Sequence, residues 1–481
     1  MSSTFFGFNI ARSGLFASQR AMNITSHNIA NAKTPGYTRQ RLDMEQSSPM
    51  YLPGGQGMLG TGVDTEGISQ LRSEFLDLKY RNEITGYGEW ETKSETLESI
   101  ESIFNEPSDS GIQTVFDEFF SSLQELVDTP ESSTTRKAVR QRAIAFTTRI
   151  NGMINQFEDL QSNMDFEVRA TVDQINGYGE QIKDLNKSIY QAELDGSKAN
   201  DLRDQRNLLV DQLSELTDIN YYEDSENRFH VLINGKSLVS HVNNSELTYV
   251  QRTTKVNTYD VDGLHDVEWA DGLAFNPTGG KIKGLTDMID NDSGNSKGIP
   301  YYVNQLNEFV ATFADEMNSI HSAGYDLYGN SGVDFFTYDI TNPAKSFSIS
   351  ADIEADVSKI AAAESAGGVP GNAGNVLKMA DMRHESILFP SGSAESPEDF
   401  LNSLISNLGV DSQEATRMKE NQEVMIYQIE TNRQSISGVS MDEEMTNMIQ
   451  FQHSFNANSR MITTIDEMID TIINRMGVVG R

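Results

Sequence analysis

The clearest hydrophobic pattern in the sequence lies near its C-terminal end, where apolar residues recur in alternating steps of three and four. This C-terminal stripe consists of Met448, Phe451, Phe455, Asn458, Ile462, Ile465, Ile469, Ile472 and Met476. Such spacing is typical of a helix that buries one narrow face against another helix. Asn458 is the polar member of the stripe, and a single polar group in such a seam often fixes the register of the partner helix.

A second, narrower pattern occupies the N-terminal end of the chain. This N-terminal stripe repeats every seven residues and consists of Phe8, Leu15, Met22 and Ile29, with small residues at Ala11, Ser18 and Thr25 between them. A stripe of this width must be covered by a partner helix. An ordinary core helix would also produce one such stripe. Two of them at opposite chain ends favour pairing of the termini with each other or with neighbouring subunits.

The pattern between the two stripes is helical over most of its length. Residues 30–70 are predicted to be a connector, because proline and glycine interrupt every helical pattern there. Helices are predicted over 112–127, 132–194, 200–216, 300–322 and from about 400 to the end, with a break at Gly438. The helix over 132–194 would measure about 90 Å at about 1.5 Å per residue. Asn200 or Asp201 is predicted to cap the helix that follows it.

One part of the middle region has the alternation of β-strands. Apolar residues at Phe229, Val231 and Ile233 precede the dipeptide Asn234-Gly235, which predicts a two-residue hairpin turn. A small β region is therefore expected over 219–285, with a second β-like stretch near 332–352.

These elements predict a mainly α, α+β fold that is elongated and has several domains. Residues 1–70 and 440–481 would form terminal coiled-coil and assembly segments that are disordered in the monomer. A rod-like helical domain would contain residues 71–218, 297–331 and 372–439. A mainly β outer region would contain residues 219–296 and 332–371.

The charge of the chain is unevenly distributed and limits its partners. Residues 1–44 contain five basic groups and one acid, whereas 440–481 contain three basic groups and six acids. The formal net charge of the whole chain is −34, so the acidic excess belongs to the middle of the sequence. The electrostatic field of a chain with this negative charge repels nucleic acids and anionic membrane surfaces, and neither is expected as a partner. No segment has the pattern of a membrane span or of a cleaved signal peptide.

No motif in the sequence supports catalysis. Cysteine is absent, which removes disulfides, thiolate metal sites and cysteine nucleophiles together. The seven histidines lie at least 11 residues apart, so a helical zinc site is unsupported. Gly55, Gly57 and Gly60 match a dinucleotide-binding pattern, but a proline-glycine turn precedes them where a strand is required. The sequence therefore predicts no enzyme, no cofactor and no metal site, and His321 is expected to be a packed structural residue.

Four segments carry a family resemblance. Residues 28–37 resemble the N-terminal signature of the axial proteins of the bacterial flagellum, which form its rod, hook and hook-associated parts. The signature residues are Asn28, Ile29, Ala30, Asn31, Thr34, Gly36 and Tyr37. The segment 437–445 and the two segments 279–285 and 318–327 are similar to the hook-associated protein 1 family, in the same order along the chain.

The resemblance implies a structural role outside the cell. Members of this family form a ring at the distal end of the hook, the first of two junction zones between hook and filament. The implied partners are other copies of the chain, the hook protein, the second junction protein below the filament, the flagellar export apparatus and an export chaperone on the C-terminal helix. Export would use a signal that is not cleaved. The methionines among residues 441–476 fit a surface with several partners, because their thioether side chains are flexible.

Two other interpretations remain open from the sequence. Another axial component, such as a hook or distal rod protein, would share the signature over 28–37 but not the long helix over 132–194. An enzyme carried on a flagellar scaffold would need an inserted domain with a metal or carboxylate motif, and the sequence contains none.

Overall fold

The helical patterns at both ends and in the middle of the sequence form helices in the computed structural model, which describes residues 6–51, 57–105, 108, 111–294 and 297–475. The helices are α1 (Phe6–Asn31), α2 (Glu74–Phe104), α3 (Ile112–Asp128), α4 (Ser133–Ala192), α5 (Asn200–Leu216), α6 (Lys281–Asp290), α7 (Ile299–Ala323), α8 (Pro343–Ser346), α9 (Ala351–Ala355), α10 (Gly374–Asp381), α11 (Pro397–Ser437) and α12 (Met441–Asp470). A π-helical turn, Thr471–Arg475, follows α12. The fold is therefore mainly α, as predicted.

The strands are short and form small antiparallel sheets. They are β1 (Gln40–Gln46), β2 (Met50–Tyr51), β3 (Met58–Leu59), β4 (Val63–Gln70), β5 (Ile219–Glu223), β6 (Phe229–Ile233), β7 (Lys236–Ser240), β8 (Asn243–Asn244), β9 (Leu247–Gln251), β10 (His265–Trp269), β11 (Phe336–Thr337), β12 (Ser348–Ile349), β13 (Ile387–Leu388) and β14 (Ala394–Glu395). One sheet has four strands in the order β5-β6-β7-β8, and the others are strand pairs. The predicted connector over 30–70 contains the longest of these pairs, β1 with β4.

The predicted long helix and the predicted hairpin are both confirmed. The helix α4 contains 60 residues, and its apolar positions Val168, Ile175 and Ile182 are fully or almost fully buried. Asn234 and Gly235 both have positive φ angles and connect β6 to β7. The second β-like stretch is realised only as the two-residue strands β11 and β12.

The predicted cap of α5 is wrong. Ala199 occupies the N-cap position and provides no side-chain hydrogen bond. Asn200 is buried and donates its amide to the carbonyl oxygen of Ile68 on β4, at 2.9 Å. Asp201 accepts a hydrogen bond from Gln40 on β1, at 2.6 Å. Tertiary contacts with the β1–β4 strand pair therefore take both side chains away from capping.

The chain forms two compact units. The terminal unit contains Met1–Thr85, Ile175–Glu246 and Glu423–Arg481, and includes α1, α5, α12, the β1–β4 pair and the four-stranded sheet. The second unit contains Gly86–Gln174 and Leu247–Gln422. The three-part division expected above remains a prediction.

The second unit has an aromatic core, and we call it the aromatic unit. The rings of this core that are no more than 1% exposed include Phe116, Phe119, Phe120, Phe146, Phe309, Phe313, Phe335 and Phe336. Neighbouring rings meet edge to face, tilted or stacked, with centroids as close as 4.7 Å for Phe116 and Phe120. Such pairs stabilise a core beyond the area that they bury. Arg136 is buried beside this core and donates to the carbonyl oxygens of Pro130 and Ile360, at 2.7 and 2.6 Å.

His321 is packed inside the aromatic unit, as predicted. It is fully buried, its Nδ1 bonds the carbonyl oxygen of Val333, and its Nε2 accepts a hydrogen bond from the backbone N–H of Ala361 at 2.9 Å. An Nε2 that accepts requires the neutral ring with its proton on Nδ1. Burial lowers the pKa of His321 to about 4.

We therefore expect the aromatic unit to lose stability in mild acid. Between about pH 6.5 and pH 4 the unfolded chain binds a proton at His321 that the folded chain does not, so the free energy of unfolding falls as the pH falls through this range. The loss should reach about 3 kcal/mol, from about 1.4 kcal/mol per pKa unit. Trp90 and Trp269 both belong to this unit, so urea unfolding followed by tryptophan fluorescence measures it.

The control for this prediction is His453→Gln, which changes an exposed histidine on α12. It should leave the pH dependence of the tryptophan transition unchanged, whereas His321→Gln should flatten it. Equal slopes for the wild type and His321→Gln would show that His321 does not govern the acid sensitivity.

Candidate assembly site

The two terminal helices pair with each other. The helices α1 and α12 are antiparallel, and the side-chain oxygens of Ser18 and Ser454 lie 3.1 Å apart. A Cβ atom on Gly14 would lie 2.8 Å from the amide nitrogen of Asn458. Near one end of the pair Gly7 faces Ile465, and near the other end Asn28 bonds Glu444. From one of these contacts to the next, the number of residues moved forward along α1 equals the number moved back along α12. The two helices therefore keep a single antiparallel register over the whole pair.

Small side chains of α1 form the seam of this pair. The residues at alternating steps of three and four that face α12 are Gly7, Ala11, Gly14, Ser18, Ala21, Thr25 and Asn28, and all the non-glycine members are buried. Gly14 lets Asn458 approach the α1 backbone closely. The N-terminal stripe of Phe8, Leu15, Met22 and Ile29 lies beside this seam, and its four side chains are only half-buried.

The C-terminal stripe supplies the larger side chains of the seam. Ile465 is buried, at 7% exposure. Most of the other members are half-buried, namely Met448, Phe451, Phe455, Asn458, Ile462 and Ile469. Ile472 lies in the π-helical turn after α12 and is half exposed. Met476 lies outside the described residues.

Asn28 stabilises the turn between the end of α1 and the start of β1 at Gln40, which we call the corner. Its side chain is 1% exposed and bonds four backbone or side-chain groups at once. The amide donates to the carbonyl oxygen of Gln40 at 2.9 Å and to Glu444 Oε2 at 3.1 Å. Its oxygen accepts from the backbone N–H of Gln40 at 3.0 Å and from the Tyr37 hydroxyl at 2.8 Å. An alanine here would leave several buried polar groups without a partner, which is costly.

The remaining signature residues shape the turn between α1 and β1. Asn31 donates to the carbonyl oxygen of His27 and accepts from the Thr34 hydroxyl at 3.2 Å. Gly36 has a φ of 75°, and a Cβ there would lie 3.1 Å from Leu208 Cβ, so both conformation and space require glycine. Ile29 is half-buried and Ala30 is exposed.

Tyr37 is embedded in a polar and partly acidic setting. Its hydroxyl lies 3.0 Å from His27 Nδ1 in addition to its bond to Asn28. Burial, followed by the charges of Asp201, Asp204 and Glu444, raises the pKa of Tyr37, so the hydroxyl stays protonated and remains a donor.

A buried ion pair joins the corner to α12. Arg39 Nε donates to Glu444 Oε1 at 2.8 Å, and the Glu444 side chain is only 3% exposed. Arg39 also contacts Glu443 at 2.8 Å, but that side chain is 62% exposed. The backbone N–H of Arg39 donates to the carbonyl oxygen of Ser437, the last residue of α11. One basic side chain of the N-terminal segment therefore binds the acidic start of α12.

Asp204 on α5 supports the corner from the other side. Its carboxylate accepts the backbone N–H of Thr38 at 2.9 Å and lies 3.5 Å from Arg72. Burial raises the pKa of Asp204 to about 6 although the hydrogen bond from Thr38 and the charge of Arg72 oppose the shift. The turn between α1 and β1 is therefore hydrogen-bonded to α5 as well as to α12.

A chain of buried ion pairs continues from Arg72 into the terminal unit. Arg72 contacts Asp77 at 2.6 Å, Asp77 contacts Arg433 at 3.1 Å, and Arg433 contacts Asp211 at 2.9 Å. Arg81 completes the chain at 2.6 Å from Asp211. Arg72 lies just before α2 and the other charges lie on α2, α5 and α11, so they hold these three helices together near the corner.

Several residues of the site carry no motif that sequence analysis could detect. Glu444 and Arg39 contribute to the opposite charges of the two ends, and Glu444 also lies in the segment 437–445 that carries the family resemblance. Gln40, Asp204 and Gly14 gave no signal, because their roles depend on which segments meet in space.

We expect Glu444 and Glu443 to differ sharply when replaced. Glu444→Ala would leave Arg39 and the Asn28 amide without their buried partner, and breaking such a pair costs about 3 kcal/mol or more. Glu443→Ala removes an exposed ion pair, worth about 1 kcal/mol at most. In cells that carry each variant as their source of this protein, the fraction with filaments should fall about tenfold for Glu444→Ala. It should stay within about twofold of wild type for Glu443→Ala, and equal fractions would contradict the assigned role of the buried pair.

Two other kinds of feature, a metal site and a membrane span, are not found in the described part of the chain. Within it, no three or more histidine, aspartate or glutamate side chains are grouped so that they could hold a metal ion. None of the helices described above is both long enough and apolar enough to cross a membrane.

Comparison with known proteins gives a consistent family assignment. Residues 97–336 match the helical domain of flagellar hook-associated protein FlgK. Residues 8–38 match a flagella basal body rod protein family, and residues 431–476 match the C-terminal family of the basal body rod FlgEFG proteins. The two terminal matches contain nearly all of α1 and the whole of α12.

Full-length relatives and a solved structure agree with these matches. Flagellar hook-associated protein 1 of Bacillus subtilis is 34% identical, with 100% of each chain covered. The Escherichia coli protein of the same name is 25% identical, with 97% of this chain and 99% of the relative covered. The structure of the flagellar hook junction protein FlgK from Burkholderia pseudomallei has a TM-score of 0.62 at 14% identity, covers 75% of this chain and is itself covered completely. That likeness concerns the fold.

Proposed function

This chain belongs to the flagellar hook-associated protein 1 family, and from that premise we propose that its copies form the ring at the distal end of the hook to which the filament is joined. It is a structural component of the bacterial flagellum. The observation that carries the proposal is the likeness to hook-associated protein 1 over the entire chain, combined with the paired terminal helices.

The terminal helix pair is the surface through which this ring assembles. Its large apolar side chains are incompletely covered within one chain, in both the N-terminal stripe and the C-terminal stripe. A half-buried apolar stripe on a helix gains stability when another helix covers it. Neighbouring copies, the hook protein below and the second junction protein above are the partners that would provide such helices. The strongly acidic residues between the terminal segments would face water on the outside.

We further propose that the protein leaves the cell unfolded through the flagellar export apparatus, escorted by a chaperone on α12, and resides outside the cell at the junction. The absence of cysteine suits a chain that folds outside the cell. The methionines of α12 suit a helix that meets the chaperone first and other subunits later, because thioether side chains adapt to different surfaces.

If assembly orders the termini, they should be mobile in the isolated monomer. We expect amide hydrogen exchange of the purified chain to be fast over residues 6–30 and 445–470 and slow in the aromatic unit. Exchange should slow at both ends in isolated flagella. Strong protection of both ends in the monomer would count against ordering on assembly.

The direct test of the proposed function is electron microscopy of a strain that lacks this chain. The expected image shows hooks without filaments, with the filament protein shed into the medium. Restoring the wild-type chain should restore the filaments. Normal filaments in the deletion strain, or the absence of hooks, would overturn the proposal.

A further inference from the structure

A strand pair beside the terminal helices exposes an apolar tip that the proposed function does not explain. The strands β1 and β4 form an arm that is extended by the short pair β2–β3. Near the end of this arm Met50, Tyr51 and Met58 are 45%, 66% and 71% exposed. We call these three residues the arm tip. Apolar side chains exposed together in this way usually mark an interaction surface.

The arm differs from the rest of this protein because much of its sequence contains no charged residue. Residues 46–63 contain no lysine, arginine, aspartate or glutamate, and this run of 18 residues is the longest uncharged stretch of the chain. Every copy of the chain carries a formal net charge of −34, so two copies repel each other over most of their surfaces. An uncharged apolar tip can approach another copy without that penalty. The charge distribution therefore favours a second copy of this chain as the partner of the arm tip.

The arm is fixed along α1 with its tip at one end of the helix pair. Its base lies at Asn28, which bonds Gln40 of β1. The backbone N–H of Val63 donates to the Ser13 hydroxyl at 3.3 Å, further toward the start of α1. The arm thus extends back along α1, and its tip lies beyond the level of Ser13.

A second exposed apolar patch occupies the opposite end of the same helix pair. Met441, Met445 and Ile449 on the first turns of α12 are 45%, 54% and 53% exposed. We call these residues the α12 patch. Glu444 lies among them and bonds Asn28, so this patch is level with the base of the arm. Residues 445–459 also form the second longest uncharged stretch of the chain.

We propose that the arm tip of one copy binds the α12 patch of the next copy. Two different patches at opposite ends of one unit make a heterologous contact, which leads to rings or helical arrays rather than closed dimers. A ring of this chain is what the proposed function requires, and the inference rests on it. In this contact the arm tip and the α12 patch are the two surfaces that join successive subunits.

Cysteine cross-linking tests this contact directly, because the natural chain contains no cysteine. Flagella would be isolated from cells carrying Tyr51→Cys with Met445→Cys, and oxidised. We expect a ladder of dimers, trimers and larger species from the double variant, and neither single variant should give more than traces. The matched control is Tyr51→Cys with Thr464→Cys, which places the second thiol at an exposed polar position of the same helix about 28 Å away, at about 1.5 Å per residue.

Each alternative pattern of cross-links would overturn the proposal. A dimer from Tyr51→Cys alone, with no further species in the double variant, would mean that two tips meet each other. A ladder from the control that equals that of the double variant would mean that the tip has no fixed position on α12. Flagella that contain the double variant but show no cross-link would exclude the contact.

A charge exchange provides a second test that does not depend on cross-linking. Tyr51→Glu should reduce the number of filaments per hook about tenfold, because it would place a charge against the α12 patch. Adding Met445→Lys to the same chain should restore the number to within about threefold of wild type, which also shows that the variant folds. Normal filaments with Tyr51→Glu, or no restoration by Met445→Lys, would contradict the contact. If the deletion strain has hooks without filaments while these variants behave otherwise than expected, the proposed function stands and this inference fails.

Discussion

Cells in which Ile465 and Ile469 are both replaced by aspartate are expected to be non-motile and to carry hooks without filaments. Ile465 is buried in the seam against α1, where it faces Gly7, and Ile469 lies one turn further along the same stripe. Burial of an uncompensated carboxylate costs several kcal/mol, about the whole stability of a helix pair. The pair should therefore separate, and the surface proposed for assembly should be lost. Swarming on soft agar and electron microscopy of the cells measure the effect.

The aromatic unit should not respond to these two substitutions. The fluorescence transition of Trp90 and Trp269 in urea is expected to match that of the wild type, since both tryptophans belong to that unit. The matched control is Thr464→Asp with Thr471→Asp, which adds the same two charges at exposed positions of α12 and the turn after it. Motility should persist in the control. Wild-type swarming by the isoleucine double variant would show that the seam is not needed for assembly.

Asp211→Ala is expected to cause the largest loss of stability in the terminal unit. Asp211 is 8% exposed and bonds Arg81 and Arg433, of which Arg81 is itself 3% exposed. Removing the carboxylate leaves the buried guanidinium of Arg81 without its ion-pair partner and takes one of its carboxylate partners from Arg433, which keeps Asp77. The loss of one partner of a buried ion pair costs about 3–5 kcal/mol. Amide exchange along α5 reports this unit, which contains no tryptophan.

Glu430→Ala provides the control for this variant. Glu430 contacts the same Arg433 at 3.5 Å, but its side chain is 39% exposed, so its removal should cost no more than about 1 kcal/mol. Asp211→Asn should fall between the two, because it keeps the shape of the side chain and loses its charge. Exchange along α5 that is equally fast in Glu430→Ala and Asp211→Ala would show that burial does not set the strength of this pair.

The regular elements could be predicted from the sequence because their signals are local. The spacing of Val168, Ile175 and Ile182 along α4 follows the helical repeat, and no proline interrupts it. The turn at Asn234-Gly235 requires positive φ angles that this dipeptide adopts easily. The signature over 28–37 and the stripes at both ends also marked the two terminal helices, which pair with each other in the structure.

The seam between the terminal helices could not be predicted in the same way. The heptad of Phe8, Leu15 and Met22 has large apolar side chains, and the sequence predicts that a partner helix covers it. The structure instead places the small residues, such as Ala11 and Ser18, against α12. Small residues allow a close approach of two backbones, and this preference becomes visible only when the partner helix is in place.

The corner residues illustrate the same limit for polar groups. Asn28 and Tyr37 belong to the signature, so the sequence marked them without assigning their partners. Glu444 and Asp204 bond this corner from segments that are 416 and 166 residues away in the chain from their partners Asn28 and Thr38. A hydrogen-bond network of this kind depends on which side chains lie close together in the folded chain. The spacing of residues within one segment does not reveal those neighbours.

The sequence by itself determined the helices, the hairpin, the charge difference between the ends and the family, because each of these depends on residues close together in the chain or on recurring motifs. Only the tertiary structure decided which face of α1 meets α12, in which register, and which ionised groups become buried between them. The physical reason is that burial and ion pairing depend on what lies within a few ångströms of a side chain. In this protein the neighbours that matter most come from opposite ends of the sequence.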